Sequence, residues 1–60
     1  MAKEKLKHGQ VTQEDHFMEI RFNFGNSEDF VNTVNQKIEQ GWKLVNATAS
    51  GNYEYAFLTK

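Results

Sequence analysis

From Met18 to Phe24 apolar and polar residues alternate without a break, with Met18, Ile20, Phe22 and Phe24 on one side and Glu19, Arg21 and Asn23 on the other. A period of two in a run rich in aromatic and branched side chains predicts a half-buried strand. Gly25-Asn26 ends it. The period then changes. Phe30, Val34 and Ile38 recur every four residues with Val31 beside them, while Asn32, Asn35, Gln36, Lys37 and Glu39 face away. This pattern predicts an amphipathic helix of about 14 residues. Asn26 or Ser27 offers an N-cap, Glu28 and Asp29 suit the positive end of the helix dipole, and Gly41 can take the left-handed conformation beyond the last turn.

Trp42–Ser50 and Tyr53–Lys60 read as two more strands, joined by Gly51-Asn52, a two-residue hairpin signal. That turn predicts a register: Ser50 opposite Tyr53, Thr48 opposite Tyr55, Ala47 opposite Ala56 and Val45 opposite Leu58. Residues 1–15 sustain neither period, and their few apolar members are Met1, Ala2, Leu6 and Val11. They are read as a flexible segment. A short edge strand around Val11 and a basic arm that orders on an acidic partner are the alternatives.

The fold class expected is therefore α+β: a β-α-β-β domain over residues 16–60, with one helix on one face of a three-stranded sheet. The last strand is placed in the middle, antiparallel to both others. One face, with Met18, Ile20, Phe22, Phe24, Val45, Ala47, Ala49, Ala56 and Leu58, is assigned to the core. The other shows Glu19, Arg21, Asn23, Leu44, Asn46, Thr48, Tyr53, Tyr55 and Phe57, with Trp42 at its rim. Trp42 also continues the Phe30–Val34–Ile38 line and can instead fold over the helix end.

Composition narrows the chemistry. The chain has 60 residues and a mass of 7.0 kDa, with 7 basic and 8 acidic side chains and a net charge of -1. That is one small domain, and neither a polybasic nucleic-acid binder nor a membrane-surface peptide. Cysteine is absent, which removes disulfides, thiolate metal sites and thiol catalysis. No apolar run is long enough to span a bilayer and no signal peptide is evident, so a cytoplasmic location is expected. His8 and His16 lack the companions that a metal site needs, and Ser27 and Ser50 have no positioned base. No catalytic residue, cofactor or metal is expected, and the chain is not read as an enzyme.

What stands out is the uncovered face. Arg21, Trp42, Leu44, Tyr53, Tyr55 and Phe57 form the candidate binding surface, an apolar patch large for a small monomer. The leading expectation is a non-enzymatic protein-interaction module: a homodimer centred on Tyr55 and Phe57, or contact with a different protein. The alternative is a single-stranded nucleic-acid binder, stacking bases on Tyr53, Tyr55 and Phe57 while Arg21 and the N-terminal lysines meet phosphates. Charge placement discriminates, because a nucleic-acid platform is ringed by cations. Glu19 and Glu54 lie on the same strands as the aromatics, which counts against the alternative.

The run Glu39-Gln40-Gly41-Trp42-Lys43-Leu44-Val45 after the helix, followed by a short hairpin and an aromatic-rich strand, resembles a group of small uncharacterised bacterial and phage domains. Their shared signature is an acidic residue, then Gly-Trp, any residue, Leu-Val. The resemblance covers residues 16–60. It implies a β-α-β-β fold of unknown function with no catalytic residues to carry over, and by analogy an adaptor or inhibitor of host machinery.

Overall fold

The computed structural model describes residues 2–60, with side chains from residue 3 onward. Six elements follow in order: β1 (Ala2–Leu6), β2 (Gly9–Gln13), β3 (Phe17–Asn23), α1 (Ser27–Glu39), β4 (Lys43–Ser50) and β5 (Tyr53–Thr59). They build one five-stranded sheet in the order β1-β2-β3-β5-β4. Every neighbouring pair is antiparallel. The helix packs on β3 and β5 from one side. As the apolar pattern predicts, β5 lies between β3 and β4, antiparallel to both.

The three-stranded sheet with a flexible N-terminal segment is overturned. Within residues 1–15, β1 and β2 form a hairpin, and β2 pairs with β3 so that Val11 faces Ile20. Met1 lies outside the described residues. The sequence hides this hairpin for two reasons. Its turn is Lys7-His8, and no non-glycine residue among those described has a positive φ, so the Asn-Gly type of turn signal is missing. Its core-facing positions are Glu4, Leu6, Gly9, Val11 and Gln13, too poor in apolar residues to show a period of two.

Gly9 sits where β2 crosses Phe22. A Cβ there would lie 2.7 Å from the Phe22 ring and meet the Arg21 carbonyl oxygen, so the strand has no room for a side chain. Gly9→Ala is expected to push β2 off β3 and to cost about 1–3 kcal/mol, as overpacking does. Urea denaturation reads this as a lower midpoint at unchanged slope.

The core joins all layers. Val11, Met18, Ile20, Phe22, Ala56 and Leu58 come from the sheet, Val34 from the helix, and Trp42 from the loop after it. Gly41 takes φ +102° after the helix, and the Trp42 N–H then donates to the Lys37 oxygen at 3.1 Å. This brings the indole under the helix end, where it is 4 % exposed and lies below the Lys60 ammonium at 5.3 Å. Trp42 is therefore a core residue and not the rim of the open face.

Three further expectations are corrected. Phe24 is exposed, because β3 ends at Asn23 and the Phe24 N–H donates instead to the Asn52 oxygen. Neither Asn26 nor Ser27 caps the helix by its side chain. Asn26 Nδ2 donates to the Asn23 oxygen, and Ser27 Oγ donates to Glu54 Oε1 at 3.0 Å. The hairpin register holds from Ser50–Tyr53 to Asn46–Phe57 and then shifts, so that Leu44 rather than Val45 pairs with Leu58. Val45 is the extra residue of a bulge. Alternation counted forward from buried Trp42 puts Leu44 on the core side, and alternation counted back from the turn puts Val45 there. Both are locally right, and the bulge reconciles them.

Candidate open-face binding surface

With α1 on one side, the other face of the sheet is uncovered. The register assigns its residues: Lys3 and Lys5 of β1, Gln10 and Thr12 of β2, Phe17, Glu19, Arg21 and Asn23 of β3, Tyr53, Tyr55, Phe57 and Thr59 of β5, and Lys43, Asn46, Thr48 and Ser50 of β4. Period 2 places them there. Each alternates with a residue that points to the helix side.

Four rings form a row along the middle of this face, three on β5 and Phe17 beside them on β3. Phe17 and Phe57 stack with centroids 6.0 Å apart, Phe57 and Tyr55 are 6.3 Å apart and parallel to 2°, and Tyr55 and Tyr53 are 6.3 Å apart at 52°. Glu19 stands opposite Phe57 and Arg21 opposite Tyr55. The Arg21 guanidinium leans over the Tyr53 ring, 4.9 Å from its centroid. A cation held on a ring face in this way keeps its charge on the platform without a carboxylate partner. Phe17 is 46 % and Tyr53 37 % exposed.

Of the six residues expected on this surface, Arg21, Tyr53, Tyr55 and Phe57 come together there, while Trp42 and Leu44 do not. Leu44 turns to the helix side. There, with Val31, Val34, Ile38 and Ala47, it lines an apolar groove of about 270 Å³ between α1 and β4. The groove exists because the helix sits over β3 and β5 and leaves β4 exposed along its whole length.

Sequence reasoning missed Phe17, Lys3, Lys5 and Lys43 as members of the open face. Phe17 was legible, since it has the parity of Glu19 and Arg21 in the same alternation. The lysines were not, because their side depends on the β1–β2 hairpin and on the bulge. Glu54 shares its strand with the aromatics, as expected, but not their side. It pairs with Phe22 on the helix side and receives the Ser27 hydroxyl, so it does not contribute to the open face.

Among the described residues no group of His, Asp or Glu side chains is placed to hold a metal ion, and no helix is long and apolar enough to cross a membrane. No protein-family model, curated protein or solved structure matches the chain.

Proposed function

We propose that this chain is a non-enzymatic interaction module, working in the cytoplasm, whose contact surface is the open face of the sheet. One observation supports the reading above the others: a row of four neighbouring aromatic rings lies on a face that no described element covers. Exposed apolar surface of this kind opposes solubility and is retained where something binds it. The face is a sheet surface rather than a cleft, so its ligand is a macromolecule and not an enclosed metabolite.

The competing surface is the groove between α1 and β4, and a dye separates the two. Anilinonaphthalene sulfonate joins an aromatic body to an anionic group and brightens on exposed apolar surface. The folded protein is expected to enhance its fluorescence. Tyr55→Ser with Arg21→Ser should abolish that enhancement, and Ile38→Ser in the groove should leave it. The reverse pattern would move the working surface to the groove and end this proposal.

A further inference from the structure

The near-zero charge of the whole chain conceals a segregation. Among the strand positions of the open face Lys3, Lys5, Arg21 and Lys43 stand against one carboxylate, Glu19, while Glu14 and Asp15 lie in the loop that leads into Phe17. On the helix side Glu4, Glu28, Asp29, Glu39 and Glu54 outnumber Lys37 and Lys60. Lys37 is further engaged, 4.0 Å from Glu4. Folding thus gathers four of the chain's seven basic side chains on the strand positions of one side and five of its eight carboxylates on the other.

The placement matters as much as the count. Lys3 and Lys5 lie on β1 and Lys43 on β4, the two edges of the sheet, and the rings lie on β3 and β5 between them. Strands ~4.8 Å apart put the two edges roughly 19 Å from each other. A polymer that follows the rings lies along β5, with Lys3 and Lys5 on one flank and Lys43 on the other.

Building on the reading of the open face as the contact surface, we infer that its ligand is single-stranded nucleic acid. Bases stack on the Phe17–Phe57–Tyr55–Tyr53 run, and phosphates meet Arg21 and the edge lysines. Every base has a π-face, so stacking needs no particular sequence. A duplex keeps its bases inside and offers a flat sheet nothing to stack on. A second copy of this chain is a poor occupant, because face-to-face pairing sets the same cations against one another. An acidic protein would satisfy the lysines, but it gains from the rings only if it also presents apolar side chains to them.

The test is fluorescence anisotropy with a labelled mixed-sequence 12-nucleotide strand, as DNA and as RNA, its duplex, and a glutamate-rich peptide. The expected result is binding of the single strands over the duplex, with a slope of log affinity against log salt no steeper than about -3, since at most four phosphates are neutralised. Tyr55→Ala should weaken binding about tenfold or more. Glu19→Gln should strengthen it by about threefold, since it removes the one carboxylate among the open-face strand positions. A merely structural residue has no reason to act with that sign. Circular dichroism of each variant confirms that it folds.

Binding of the peptide and not of the strands, lost in Tyr55→Ala, would overturn this inference and leave the open face as the contact surface. Strand binding that ignores Tyr55→Ala and Arg21→Ala but is lost in Lys37→Ala would overturn both. Absence of strand binding at millimolar protein in low salt would overturn the inference alone.

Discussion

Deleting residues 1–13 is expected to abolish cooperative folding. The deletion removes β1 and β2, and with them four supports at once. Val11, 2 % exposed over Ile20, leaves the core, and Leu6 leaves the partly buried ring around it. The ladder from Gly9–Phe22 to Gln13–Met18 is lost, as is the bond from the Asn23 N–H to the His8 oxygen. What remains is β3 as a new edge, with Met18, Ile20 and Phe22 beside unpaired backbone groups. Such an edge pairs with other chains. A domain of this size holds roughly 3–9 kcal/mol in total, and burying one Val alone accounts for about 1.5 kcal/mol or more. The measurement is urea or thermal denaturation by circular dichroism, with sedimentation to detect aggregates. A fragment of residues 14–60 that unfolds cooperatively and stays monomeric would show that the hairpin is an appendage and that the domain begins near His16.

How far the sequence foretells this arrangement depends on how local each signal is. β3 announces itself because its core positions Met18, Ile20 and Phe22 are all large and apolar, so period 2 survives without context, and β5 because its run of aromatic and apolar residues follows a two-residue turn. The helix is legible from Phe30, Val34 and Ile38, and its end from Gly41. The Gly51-Asn52 turn fixes the register of the last hairpin as far as Asn46. Beyond that point the information is tertiary. The bulge at Val45 arises where two locally valid alternations collide, one set by the turn and the other by Trp42 under the helix. β1 and β2 are amphipathic only in the presence of β3, whose apolar row gives Val11 and Gly9 a partner. The candidate site divides along the same line. Its rings sit on self-announcing strands and could be placed in advance, whereas its edge lysines belong to elements that need the rest of the sheet.

That dependence on β3 concentrates the energetics at Phe22. Its ring is 2 % exposed and meets Phe30 edge-on at 6.0 Å and 69°, which joins the sheet to the first turn of the helix. On its other side it is the residue over which Gly9 passes, so it also sets how closely β2 approaches. Phe22→Ala is expected to cost about 3–5 kcal/mol from lost burial and the cavity left behind. The edge-to-face pair accounts for about 0.5–1.5 kcal/mol beyond area alone. Against a total of roughly 3–9 kcal/mol, the loss removes from about a third to all of the stability, so the variant should melt far below the parent chain. Phe22→Leu keeps much of the volume and should retain a cooperative transition with a lower midpoint. Tyr55→Ala, in contrast, removes a ring from the uncovered face and leaves the core intact, so it should weaken ligand binding far more than stability. If Phe22→Ala loses less than about 1.5 kcal/mol, the range of a volume-conserving swap, then β2, β3 and α1 do not converge on this ring. The hairpin that carries Lys3 and Lys5 to the open face would then be held by some other contact.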